Sequence, residues 1–247
     1  MAVTTTPLVR IERLRKEFRA VVAVEEVTLD VNRGEIVALV GDNGAGKSTV
    51  VKCIAGVYPL TSGQILLEGR PVRFSSPLEA RSQGIEAVFQ ELALAGAQPV
   101  YMNMFLGREL VKGPLRRLDR EAMAVETQTL LEELDVPIDS PQKRIRDLSG
   151  GQRQGVAIAR AVRWAQLLLL MDEPTAALGI AETRRVEQLI RRMRDRGSAI
   201  LIVSHSLDQV LRLADRICIL RRGKQVGIRR TSETTGDEIV AMITGLR

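Results

Sequence analysis

Hydrophobic positions along this chain fall into two rhythms. From Leu8 to Val31 they alternate with polar ones around turn-like breaks, which predicts antiparallel strands with one buried face. Further on they come as short solid runs: Ile36 to Val40, Leu167 to Met171, Ala199 to Ser204 and Arg216 to Leu220. Shorter strands are predicted at Gln64 to Leu67 and at a segment ending Val88-Phe89-Gln90. Helical stretches lie between the runs. Val50 to Ala55 reads as a helix start, and Ser76-Pro77 opens another, with Pro77 at its first position and Glu79 in its first turn. Asp119 to Leu134 is predicted helical, with Ala122, Val125, Leu130, Leu131 and Leu134 on one face and Pro137 and Pro141 ending it. Ser149 reads as the N-cap of a helix running to Val162. Strands apolar on both faces with helices between them predict an α/β fold, a mainly parallel sheet covered on both sides.

The 247 residues suffice for one α/β domain with a sizeable core, or for two small ones. Aromatics are only 3%, so the core must be built from Val, Ile, Leu and Ala. No apolar run approaches the roughly 20 residues of a membrane helix. Met1 to Pro7 lacks a basic region followed by an apolar one and does not read as a signal peptide. Cys53 and Cys218 stand far apart in apolar surroundings, which predicts buried free thiols.

The net charge of +6 is unevenly spread: Ala181 to Arg230 carries +8 and the remainder −2. One reading is a solvated helix face, since Val186, Leu189, Ile190 and Met193 fall at helical spacing with arginines opposite and Glu187 four before Arg191. Proximity to an anionic membrane surface is a second. Nucleic-acid binding ranks last, because no aromatics interleave the basic residues.

The chemistry begins at Gly41-Asp42-Asn43-Gly44-Ala45-Gly46-Lys47-Ser48-Thr49, between the strand run at Ile36 and the helix start at Val50. Gly41, Gly46, Lys47 and Ser48 stand at P-loop spacing. Glycines let backbone N–H groups close around phosphate oxygens, and the helix N-terminus adds positive partial charge. Lys47 can reach the β- and γ-phosphates of a nucleotide, and the Ser48 hydroxyl can ligate Mg²⁺.

The run Leu167 to Met171 ends in Asp172 and Glu173, and nucleotide sites in open α/β sheets lie at such strand ends. Asp172 is placed to hold Mg²⁺ and Glu173 to polarise an attacking water. Leu148-Ser149-Gly150-Gly151-Gln152 leaves helix N–H groups approachable, a second anion site that a single chain would offer to a partner's nucleotide; an ordinary capped helix with a glycine-rich lead-in is the other reading.

With these motifs, Gln90 and His205 in this order and spacing, the chain resembles the ATP-binding subunits of ABC transporters over essentially its whole length. The resemblance implies a P-loop NTPase domain spanning 1–247, with an antiparallel N-terminal β subdomain and a helical subdomain inserted at approximately 91–160. Gln90 would contact Mg²⁺ and the attacking water and sense the membrane partner, and His205, the only histidine, would contact the γ-phosphate. Phe18 resembles the aromatic that stacks on adenine, with a core position as the alternative. Two copies, or this chain and a second ATPase subunit, would sandwich each ATP between Lys47 of one and Ser149-Gly150-Gly151 of the other. Separate integral-membrane permease subunits would touch a groove over roughly 91–118, where Met102, Met104 and Phe105 form either an adaptable contact or core. A solute-binding protein would take part indirectly. The expected place is the cytoplasmic face of the cell membrane, with no nucleic-acid partner.

Within the family, Gly69 to Ala80, Phe105 to Glu109 and Gln152 to Ala157 look like segments of the ribose, xylose and fructose importers. The single cassette resembles the fructose type. One departure stands out: Ala176-Ala177-Leu178-Gly179 replaces the usual Ser-Ala-Leu-Asp, so Gly179 removes a carboxylate that helps link the two sites of a dimer. Hydrolysis is expected to survive it. A soluble non-transport ABC ATPase, an exporter ATPase and an ATP-binding regulator are the alternatives. The chromosome type is excluded, because 125 positions between Lys47 and Asp172 leave no room for a long coiled coil.

Overall fold

The computed structural model describes residues 6–176 and 178–245. The N-terminal alternation forms β1 (Val9–Phe18) and β2 (Val21–Val31), antiparallel to each other. The first solid run is β3 (Ile36–Val40), followed by α1 (Lys47–Ile54). β4 (Ser62–Leu67) and β5 (Arg70–Val72) extend the antiparallel part outward from β1. Then come α2 (Pro77–Ser82), capped by Ser76, and β6 (Ile85–Val88). The segment between β6 and the next core strand holds α3 (Val100–Met104), the hairpin β7 (Val111–Lys112) and β8 (Arg117–Leu118), α4 (Arg120–Glu133) and α5 (Gly150–Trp164). The chain continues through β9 (Leu168–Asp172), α6 (Ile180–Asp195), β10 (Ala199–Val203), α7 (Leu207–Leu213), β11 (Arg216–Arg221), β12 (Lys224–Arg230) and α8 (Gly236–Thr244).

Ten strands form one sheet, in the order β5-β4-β1-β2-β12-β11-β3-β10-β9-β6. β11, β3, β10, β9 and β6 run parallel. Their solid apolar runs follow from burial on both faces. Ile36, Ala38 and Val40 join one core with Val156, Ile158, Val186 and Leu213 of the helices, while Val37 and Leu39 join the other with Val50, Val51 and Ile54. Each Val, Leu or Ile among them contributes about 1.5–3 kcal/mol when fully buried, so a core poor in aromatics still holds.

Three expectations need correction. The buried face of α4 is Met123, Ala124, Thr127 and Leu131, and Val125 is exposed. Thr127 occupies a buried position that an apolar-only stripe skips. β6 stops at Val88, so Gln90 lies beyond the strand and is exposed. Glu187 does not pair with Arg191 on a wet face; it is buried, with Arg212 Nη2 2.7 Å from its Oε1. Met104 and Phe105 are core, the latter edge-on to Trp164, and the neighbouring exposed apolar side chain is Leu106. Cys53 and Cys218 are free, and burial raises their thiols to about 11 and about 12. No helix among the described residues is long and apolar enough to cross a membrane.

Candidate functional site

Register decides which residues meet. Leu39 of β3 pairs with Val203 of β10, and Val203 with Asp172 of β9. The residues just past these positions, Gly41, His205 and Glu173, therefore share one carboxyl edge of the sheet. Val88 pairs with Met171, so Gln90 emerges at the same edge.

The loop from Gly41 turns on positive φ angles at Gly41, Gly44 and Gly46, of 151°, 78° and 100°. A Cβ on Gly46 would stand 2.6 Å from the Ala23 carbonyl oxygen, whereas one on Gly44 would meet nothing within 4 Å. The loop is thus tight against β2 on one side and open at Gly44, with Asp42 and Asn43 exposed and Ala45 buried. Lys47 is buried, and its Nζ donates to the carbonyls of Gly41 (2.7 Å) and Asp42 (2.9 Å). Burial lowers its pKa, opposed by the charges of Glu173, Asp172 and Asp42. Ser48 Oγ donates to Asp172 Oδ1 at 3.2 Å, which brings a hydroxyl and a carboxylate 124 positions apart into one place. These are hard oxygen donors of the kind Mg²⁺ takes. Thr49 follows in the first turn of α1.

Glu173 sits in the left-handed region at φ 57°, held by its N–H donating to the Val203 carbonyl (3.0 Å). Its Oε1 lies 2.9 Å from Nε2 of His205, which is half exposed. Burial is the main force raising the Glu173 carboxyl above its ordinary range; the His205 charge opposes it, and the Asp172 carboxylate adds to it. Phe18 ends β1, edge-on to Tyr58 with centroids 5.0 Å apart, and Lys16 Nζ lies 4.9 Å from its ring centre. It is 39% exposed and so not a core residue.

Ser149 caps α5. Its Oγ accepts from Gln152 N (3.2 Å) while Gln152 Oε1 accepts from Ser149 N (3.0 Å). Sequence reading missed what lies over this end. Glu182 of α6 accepts from Gly151 N (3.3 Å) and Ser149 Oγ (3.4 Å) with Oε1, and from Gly179 N (3.2 Å) with Oε2. A Cβ on Gly151 would stand 2.7 Å from that carboxylate. The spacing of Gly179 and Glu182, a helix cap and its third residue, was the available signal. Within the single chain Ser149 and Gly151 contact Glu182; the contacts join them neither to Lys47 nor to Glu173.

A family model described as ABC transporter matches residues 24–176. The chain belongs to the ABC transporter family. This ATPase is 43% identical to the xylose/arabinose import ATP-binding protein XylG of Sulfolobus acidocaldarius, over 96% of its own length and 94% of that protein's. It is also 43% identical to the fructose import ATP-binding protein FrcA of Rhizobium meliloti, over 98% and 95%. The ribose import ATP-binding protein RbsA 2 of Escherichia coli O157:H7 is 41% identical, and there the match covers 98% of this chain but 47% of the relative. Among solved structures, the ADP conformation of MJ1267, an ATP-binding cassette of an ABC transporter, superposes with a TM-score of 0.82 at 25% identity, covering 97% and 95%. The expected fold class, a P-loop ATPase of the ABC type, is therefore that of this protein, and it is a nucleotide-binding ATPase.

Proposed function

We propose that this ATPase drives a monosaccharide importer, working as a head-to-tail pair beneath separate permease subunits on the cytoplasmic face of the membrane. The observation that carries this reading is the Ser48–Asp172 and Glu173–His205 pairing beside Lys47, in a chain whose near-full-length relatives are named for xylose/arabinose and fructose import.

In this reading Gly41 to Thr49 wrap the ATP phosphates, Lys47 leaves its loop carbonyls for the β- and γ-phosphate oxygens, and Phe18 stacks on adenine. Ser48, Asp172 and Gln90 would hold Mg²⁺, which when bound neutralises the charge that phosphoryl transfer concentrates on oxygen. Glu173 takes the proton of the attacking water, and His205 holds the γ-phosphate side of the site. Ser149, Gly150, Gly151 and Gln152 face the nucleotide of the second copy, or of a second ATPase subunit. ATP then favours the closed pair because only that form contacts it from both sides. The helical subdomain, approximately 91–160, carries the permease contact. Support for that place is the groove in which Ala93, Leu106 and Arg108, from the stretch that follows Gln90, meet Arg81 and Glu86 before it and Arg160 of α5. A solute-binding protein would deliver the sugar to the permease.

The Glu182 carboxylate opposes an incoming phosphate at the Ser149 helix end. A charge near a helix terminus is worth about 0.3–1 kcal/mol. Glu182→Gln is therefore expected to lower the ATP concentration for half-maximal turnover by about two- to fivefold, read from steady-state titration.

The deciding experiment is ATP turnover of the chain co-purified with its membrane partner, with and without candidate sugars and the solute-binding protein. Stimulation by a pentose or hexose supports the importer. Turnover that associates with nucleic acid or ribosomes, with no membrane partner, supports the soluble ATPase instead.

A further inference from the structure

Beneath the Glu173–His205 pair lies a buried polar side chain that the reading above does not use. Gln209, on α7, is 1% exposed. Its carboxamide touches three other elements. Oε1 accepts from Ser204 Oγ (2.8 Å) and from Thr175 Oγ1 (3.1 Å). Nε2 donates to Thr175 Oγ1 (2.9 Å) and to Glu187 Oε1 (3.4 Å). All four hydrogen-bonding positions of the amide are thereby used.

The places of these partners in the chain give the contact its meaning. Ser204 immediately precedes His205, and its Oγ also accepts from Ser206 N (3.1 Å), so it shapes the turn that carries the imidazole. Thr175 is two residues after Glu173, in the loop that leaves the strained left-handed position at Glu173. Gln209 bonds both loops. The Glu187 contact explains why an amide stands here. A carboxylate at 209 would face the buried Glu187 carboxylate at 3.4 Å, and Arg212 already serves Glu187. Two like charges that close in a buried site cannot both stay ionised without displacement.

We propose that Gln209 is a positioning residue for hydrolysis, fixing the 2.9 Å approach of His205 Nε2 to Glu173 Oε1 by tying Ser204 to Thr175. This rests on the reading that Glu173 and His205 work in the hydrolytic step. Misplacement of reacting groups by about 1 Å costs on the order of a hundredfold in rate.

The test compares Gln209→Met, which removes both hydrogen-bonding atoms of the amide, and Thr175→Val with wild type in the full chain. The first keeps the side-chain shape, and the second breaks the bridge from its other end, so one folded variant suffices. Each is expected to lower kcat about ten- to a hundredfold with KM for ATP within about twofold of wild type. A double-mutant cycle then separates positioning from bulk stability. In a His205→Ala background the same substitutions should cost less than about twofold in kcat, because the geometry they protect is already gone. Wild-type kcat in the folded variants overturns the inference. So does a kcat loss undiminished by His205→Ala, or one matched by loss of ATP binding. Glu173→Gln serves as the control. If it turns over normally, the catalytic reading itself fails; if it is inactive while Gln209→Met is normal, only the role of Gln209 fails.

Discussion

Replacing Glu173 with Gln is expected to cut ATP turnover by about a hundred- to ten-thousand-fold while ATP binding persists. The amide fills the same space but cannot take a proton from water. The contacts proposed for the phosphates, from Lys47 and the loop around it, are untouched. Burial raises the Glu173 carboxyl, which brings it closer to the range where a general base works well near neutrality. Wild-type turnover should therefore fall with acid along a limb lying above the ordinary carboxylate range. The same shift has a stability consequence. A carboxyl whose native pKa exceeds its unfolded one binds its proton more tightly when folded, so stability declines as pH rises through that interval. The Gln variant lacks this loss and should melt at a higher temperature than wild type at neutral pH, with the advantage shrinking in acid. Steady-state turnover, nucleotide binding and melting curves read the three effects. Undiminished turnover in the variant would remove Glu173 from the chemistry.

The second large effect is structural. Gly41→Ala is expected to destabilise the fold by about 3 kcal/mol or more, from strain and overpacking together. At Gly41 φ is 151°, and an added Cβ would lie 2.2 Å from the Leu220 carbonyl oxygen. That oxygen belongs to β11, which is fixed beside β3 by the register of Ile219 with Val40. Neither side can yield without breaking the parallel core. For a chain of this size the loss corresponds to a fall in melting temperature of about 10 °C. Gly44→Ala is the control: it has the room for a Cβ, and carries only the cost of its positive φ. A melting temperature of Gly41→Ala equal to wild type would contradict the packing described at the head of the loop.

The linear chain displayed the elements whose signals are local. The solid runs of β3, β9, β10 and β11 announce burial on both faces, and the glycine spacing before Lys47 announces a phosphate loop. The cap at Ser149 is legible because a hydroxyl residue stands just before two glycines and a helical apolar stretch that continues to Val162. Elements with weak local signals escaped. The short α3, the β7–β8 hairpin, α7, β12 and α8 went unpredicted, because short amphipathic pieces take their shape from the surface they pack on. The apolar period of α4 points through Val125 because Thr127, polar but buried, interrupts the stripe that packs on the core.

Sequence by itself determined the kind of protein this is. A phosphate loop, an acidic strand end and a capped glycine pair mark a nucleotide site, since the bonds that build each motif span only a few residues, and their order resembles that of the ABC ATPases. Only the tertiary structure decided which side chains face one another: Ser48 with Asp172, Glu173 with His205, Glu182 over the Ser149 helix end, and Gln209 beneath the catalytic pair. Those contacts join residues up to 124 positions apart. Their geometry is set by the register of parallel strands, and that register is fixed by packing on both faces of the sheet rather than by any pattern along one segment.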